Sequence, residues 1–136
     1  GKMMSDMTIM TRAVMPSMTN FRGVLFGVML MVWMGEVAGV AAKRFAGPEV
    51  TTAAVEGMKF LRPIPVGAFI EVAGAVTAVG NTSLRVKIDV SMDSQHRGVK
   101  GDEKMDKVLV AEALFVYVAL DEMGKPRTIE KEISNT

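Results

Sequence analysis

The sequence predicts an α+β domain in which a curled antiparallel sheet wraps one long central helix. Three observations lead there. The stretch from Val24 to Phe45, "VLFGVMLMVWMGEVAGVAAKRF", is apolar on every face, the signature of a helix enclosed by other elements. Everything after it reads as extended chain, with the cleanest two-residue alternation between Leu84 and Met92. The length of 136 residues, 49% hydrophobic and 23% charged, suits one ordinary globular core and leaves no room for a second. Residues 1–136 are therefore read as one domain, with flexible ends at about 1–7 and 129–136.

The elements follow in chain order. Thr8 to Met15 forms a short first strand, broken by Pro16 and Ser17. Asn20 to Gly23 is a loop. The helix from Val24 to Phe45 spans about 30 Å at ~1.5 Å per residue. Lys43 and Arg44 lie in its last turn, where cations suit the dipole, and Gly47-Pro48 ends it. This run is not a membrane span, because Glu36 interrupts it and a mid-helix carboxylate is costly in lipid. Nor is it a signal sequence, since more than twenty mixed residues precede it. Val50 to Phe60 is extended and ends at "LRPIPVG", an irregular connection. Ala68 to Val79 is a strand, and "VGNTS" turns the chain. Leu84, Val86, Ile88, Val90 and Met92 face one way; Arg85, Lys87, Asp89 and Ser91 face the other. "DSQHRGVKGDEKMD" is a charged loop. Val108 to Leu120 is apolar on both faces, with Val108, Val110, Leu114, Val116 and Val118 on one and Leu109, Ala111, Phe115 and Tyr117 on the other. That reads as a central strand covered by the helix.

One helix cannot be left wet, and one sheet can bury only one of its faces on it, so the sheet curls around the helix. The open sheet edge and the oily helix also call for a second copy. Composition removes several function classes. A net charge of +1 leaves no footprint for nucleic acid. With no cysteine and one histidine, disulfides, thiolate chemistry and a multi-histidine metal site within one chain are excluded. The lack of cysteine is compatible with the cytoplasm, where we expect the protein.

Four stretches carry a resemblance: "TNFRGVLFG" with "WMGEVAGVAA", "VEGMKFLRPIPVGAFIEV", "VGNTSLRVKIDV" and "AEALFVYVALDEMGKPR". Together, in this order and spacing, they resemble bacterial acyl-CoA thioesterases of the hotdog superfamily, the short acyl-CoA hydrolase type. The resemblance implies a hotdog fold and hydrolysis of acyl-CoA to free acid and coenzyme A. It implies a homodimer with active sites at the interface, assembled as a trimer of dimers. No metal or cofactor is implied beyond the coenzyme A of the substrate.

Thioester hydrolysis needs a polarised carbonyl, an activated water or nucleophile, and a seat for the coenzyme. Backbone N–H groups at a helix start can supply the first, and Gly27 lies there with no side chain in the way. The family's pattern is an Asn, a Gly, a Gly pair and then an Asp further along the helix. Asn20, Gly23 and Gly27 match it; Val28 stands where the second Gly of the pair is usual, and Gly35 where the acid is usual.

Three explanations of the missing acid stand open. Glu36 substitutes for it, although one residue on is about 100° round the helix. The protein is an impaired or inactive thioesterase. Or an acid of the partner chain, such as Glu56, Glu112 or Asp89, does the work. For the substrate, the Gly80, Asn81, Thr82, Ser83 turn and the cations Arg62 and Arg97 are the candidates for coenzyme A, and Met58 and Phe60 for the thioester or acyl chain. Plainer roles stand beside these: Asn20 as a helix cap, the turn as an ordinary hairpin turn, Gly35 and Gly39 as packing glycines, His96 as a solvated loop residue, and the thirteen methionines as adaptable core filling. A different class, a non-catalytic acyl-CoA carrier or sensor of the same fold, is the alternative that the lost acid favours. A hotdog dehydratase would want a His paired with an acid, and His96 is in the wrong place.

Overall fold

The computed structural model describes residues 6–93 and 106–130. Strand β1 (Thr8–Ala13) leads through a single turn of 3-10 helix (Pro16–Met18) into helix α1 (Gly27–Ala46). Strands β2 (Val50–Phe60), β3 (Phe69–Val79), β4 (Ser83–Asp93) and β5 (Lys107–Ala119) follow. They form one five-stranded sheet in the order β1-β3-β4-β5-β2, antiparallel at every pairing. The sheet curls against the single long helix, as the sequence predicts.

The helix packs because one of its sides is made of residues that fill the concave sheet. Leu30, Trp33, Met34, Val37, Ala38, Ala41 and Ala42 are buried there. Facing them are Val72 and Val76 of β3, Leu84, Val86, Ile88 and Val90 of β4, and Ala113, Phe115 and Tyr117 of β5. Close approach is enforced at Gly74 in β3. A Cβ at that position would stand 2.6 Å from Ile88 Cδ1 and 3.1 Å from Val37 Cγ1.

Several expectations need correction. The helix begins at Gly27, not Val24, because Leu25 bridges Thr19 and Val24 bridges Pro65 in extended conformation. It is not enclosed on all sides within the chain: Val28 is 71% and Val32 51% exposed, and Met31 and Val40 are exposed too. β5 does not alternate cleanly through its length. Val90 pairs with Ala111 but Ser91 with Leu109, so Val110 is an extra residue, a β-bulge. Beyond it the odd positions turn to the helix, and both Val110 and Ala111 are buried. β5 is an interior strand covered by the helix, as expected, and lies between the middle strand β4 and the edge strand β2. Ile129, expected in a flexible tail, is 3% exposed and donates its N–H to the Asn81 carbonyl at 2.8 Å. An apolar side chain with a seat in the core holds the chain that far.

The C-terminal end of α1 is closed. Gly47 (φ +94) donates its N–H to the Lys43 carbonyl. Arg127 donates to the carbonyls of Ala46 and Leu120, and Arg44 donates to the Thr8 hydroxyl at 3.1 Å. The bonds to Lys43 and Ala46 satisfy carbonyls that a helix end leaves without partners. No helix among the described residues is long and apolar enough to cross a membrane.

Candidate active site

At the other end of α1 the chain is arranged differently. Two loops, 14–26 and 61–68, are stitched together by backbone bonds: Leu25 N–H to Ile64 O at 2.8 Å, Val66 N–H to Gly23 O at 3.0 Å, and Gly67 N–H to Val14 O at 2.8 Å. Asn20 organises the first loop. Its Oδ1 accepts from the N–H groups of Arg22 (2.8 Å) and Val24 (3.2 Å). Its backbone N–H donates to the Val24 carbonyl at 2.9 Å, and its carbonyl accepts from Gly23. Asn20 is therefore not a helix cap. The cap position is Phe26, which makes no side-chain capping bond. The first N–H groups of α1, those of Gly27 and Val28, have no acceptor within the helix and point out of its positive end.

Beside them lies a cleft of about 340 Å3 whose lining includes Val24, Gly27, Leu30, Phe60, Arg62 and Ile64. The Phe60 ring comes within 3.8 Å of where a Gly27 Cβ would be, and nothing else comes nearer. Thus three sequence-predicted residues, Gly27, Phe60 and Arg62, meet in one place. Met58 is partly buried against the core behind them. The strand end that carries Phe60 is hooked in place: Leu61 and Arg62 both donate their N–H groups to the carbonyl of the bulged Val110, at 2.8 and 3.4 Å.

Gly35 lies two turns further along the half-exposed side of α1. A Cβ there would meet only Phe115 Cε2, at 3.9 Å, which is ordinary contact. Room for a side chain exists, so packing does not require this glycine. Glu36 turns elsewhere. Its carboxylate pairs with Arg12 of β1 at 3.3 Å, and the Arg12 guanidinium lies 5.2 Å from the centre of the Trp33 ring. The other carboxylates considered as replacement acids lie on the outer face of the sheet. Glu56 pairs with Arg85 (2.9 Å), and Asp89 and Glu112 both pair with Lys87 (2.5 and 3.2 Å). Glu112 is thus a surface partner of a lysine, not a group buried beneath the helix.

The Gly80–Ser83 turn does not join the cleft of its own chain. It sits where β5 ends and β2 begins, whereas the cleft is where β2 ends. Much of its backbone is already engaged: Gly80 N–H with Ser83 O (2.7 Å), Thr82 O with Ala119 N–H, and Asn81 O with Ile129 N–H. Arg97 and His96 lie outside the described residues.

Two features of this region were missed in the sequence. Gly57 has φ +57 in the middle of β2 and marks a bulge; a glycine inside a strand pattern was the available signal. Tyr117 stands opposite Thr52 across the β5–β2 pair, and burial pushes its phenol above the usual value while the Thr52 side chain works the other way. Its hydroxyl is 3.7 Å from the Cβ position of Gly39. Strand alternation alone does not reveal such a pair.

With this geometry in view, the likeness to known proteins falls into line. Residues 22–99 match the family model described as the Thioesterase superfamily. The chain is 37% identical over 127 residues to the acyl-CoA thioester hydrolase YciA of Escherichia coli, covering 93% of this chain and 92% of that protein. Among solved structures it resembles an acyl-CoA hydrolase from Staphylococcus aureus in complex with butyryl coenzyme A, with a TM-score of 0.80 and 29% identity over 90% of this chain and 71% of that one. It also resembles a hexameric thioesterase from Yersinia pestis, with a TM-score of 0.76 and 31% identity over 93% and 97% of the two chains.

Proposed function

Because the chain belongs to the thioesterase superfamily and has its hotdog fold, we propose that it hydrolyses acyl-CoA thioesters to free acid and coenzyme A at the cleft beside Gly27. The observation that carries this is the meeting of uncapped helix amides, an aromatic wall and a cation in one cleft, at Gly27, Phe60 and Arg62.

The thioester carbonyl oxygen accepts from the N–H groups of Gly27 and Val28, which stabilise the oxyanion formed when water attacks the carbonyl carbon. Asn20 builds the loop that leads into those amides, and its amide nitrogen is the end of the side chain left to orient substrate or water. The C–S bond then breaks, the coenzyme thiolate leaves and takes up a proton, and the water oxygen stays with the acid. Phe60 and Met58 flank the acyl or pantetheine chain, and Arg62 attracts phosphate. The chemistry draws on no metal or cofactor apart from the coenzyme A of the substrate.

The base is the weak point of the site. Glu36 is held by Arg12 and lies about 100° round the helix from position 35, so we do not assign it the water. Position 35 is where a carboxylate belongs, and its absence makes this a slow thioesterase. A second copy completes the picture. Relatives of this chain form hexamers. Here the exposed side of α1 (Val28, Met31, Val32, Gly35) and the open edge of β2 suit a partner that closes the cleft. We propose a homodimer with the sites at its interface, assembled as a trimer of dimers and working in the cytoplasm. Through the partner, its Gly80–Ser83 turn and its Arg97 are the candidates for the coenzyme end.

The test is hydrolysis of an acyl-CoA panel by the wild-type chain and by Gly35→Asp. The chain has no cysteine, so a thiol-reactive chromophore reports only released coenzyme A. Gly35→Asp is expected to raise kcat about a hundredfold, the lower range for a placed general base. Equal rates would mean another base is present. Tight acyl-CoA binding without turnover in either protein would overturn hydrolysis in favour of a carrier.

A further inference from the structure

We propose that Gly57 is a positioning residue that decides which side chain of β2 walls the cleft, so that Phe60 and not Lys59 faces the amides of Gly27. The inference rests on the thioesterase reading, because it assigns a role within that cleft.

Side chains of a strand alternate between faces, and a slip of one residue exchanges them. Glu56 points to the outer face of the sheet, where it pairs with Arg85. In a straight strand residue 59 would then point inward and residue 60 outward. The observed pairing differs. Glu56 lies opposite Leu114, Lys59 opposite Glu112 and Phe60 opposite Ala111. β2 thus spends three steps where β5 spends two. The extra residue falls at Gly57-Met58, and Gly57 has φ +57, the left-handed conformation of a bulge that starts on glycine. No heavy atom lies within 4 Å of a Cβ built on Gly57. Crowding therefore does not call for glycine here; backbone conformation does.

The result is a change of wall. Lys59 is turned to the outer face beside Glu112, and the Phe60 ring comes within 3.8 Å of Gly27. The bulged Val110 of β5 then fixes the following residues by accepting from Leu61 and Arg62. Two bulges on neighbouring strands, one on each side of this crossing, hold an aromatic surface where a lysine would otherwise stand. A β-branched residue at 57 resists the left-handed conformation and favours the straight strand, whereas Asn tolerates it.

The experiment compares Gly57→Val, Gly57→Asn, Phe60→Ala and the double variant Gly57→Val with Phe60→Ala. Butyryl-CoA is the probe, and its Kd, KM and kcat are read together with Tm. Gly57→Val is expected to weaken binding about tenfold or more, the scale of a displaced binding wall, while Gly57→Asn stays close to wild type. In the Phe60→Ala background Gly57→Val should add less to the loss in Kd than it does alone, because the ring is already gone and only the entry of Lys59 is left. Should Gly57→Val fail to fold, Gly57→Ala takes its place with the same expected direction. A change in Tm with Kd unaltered, or losses that add in the double variant, would overturn the role of Gly57 alone. A wild-type chain that does not bind butyryl-CoA would overturn the thioesterase reading and this inference with it.

Discussion

Two glycines on different sides of the helix show how differently the same residue can serve. Gly74 of β3 faces the inner side of α1, and its missing Cβ is space already taken, by Ile88 Cδ1 at 2.6 Å and Val37 Cγ1 at 3.1 Å. Gly35 lies at the half-exposed flank of the helix, and its missing Cβ is space left over, with Phe115 Cε2 at 3.9 Å as its only near neighbour. The inner side is closed by van der Waals contact, and the identity of each residue there follows from the distance between helix and sheet. The outer side carries exposed Val28, Met31 and Val32 and an uncapped helix start. Its residues answer to something outside the chain, a substrate or a second copy.

The largest effect should come from filling the tight side. Gly74→Ala forces a methyl group against Ile88 and Val37, and overpacking of that kind costs about 1–3 kcal/mol. A urea titration checks it. A loss under about 0.5 kcal/mol, the scale of an ordinary surface change, would mean that helix and sheet are less tightly matched than the contacts imply. On the roomy side the sign should reverse. Gly35→Ala replaces a poor helix former where space exists and should stabilise the isolated fold by up to about 1 kcal/mol. If it destabilises instead, another chain presses on Gly35, and the two sides differ only until the assembly forms.

How much of this was legible depended on how regular the chain is. β4 is legible because Leu84, Val86, Ile88 and Val90 alternate with Arg85, Lys87 and Asp89, and a half-buried strand needs that pattern. β5 is not, because apolar residues on both faces hide a bulge: shifting the phase at Val110 exchanges one oily face for another. Composition starts the helix three residues early, because Val24 and Leu25 look helical, while bridges to Pro65 and Thr19 hold them extended. Such pairings are made by residues far away in the chain. Of the candidate site, Gly27, Phe60 and Arg62 are named from the sequence for separate roles, and the fold brings them to one cleft, the aromatic ring through a bulge at Gly57. The charges were the least legible. Glu36, Glu56, Asp89 and Glu112 look alike in sequence, and only the partners Arg12, Arg85 and Lys87 show that each is occupied.

The smallest effect probes the seam between the two sides, where Tyr117 lies beneath Gly39. The phenol is buried beside Thr52, its cross-strand partner, and burial, the larger influence, raises its pKa above the usual 10.0. The folded state therefore holds a proton that the unfolded chain gives up. The corresponding stability is fully present below pH 10 and is lost as pH rises from there through the folded value. Tyr117→Phe has no proton to lose. At neutral pH it should differ from wild type by no more than about 1 kcal/mol, the net scale of one hydroxyl's interactions, and above pH 10 its stability relative to wild type should rise. Urea midpoints of both proteins on either side of that pH give the comparison. Parallel loss of stability in the two would mean that Tyr117 ionises as freely folded as unfolded. Water would then reach the hydroxyl from the outer side, and the boundary between the packed and open sides of the helix would lie deeper than Gly39.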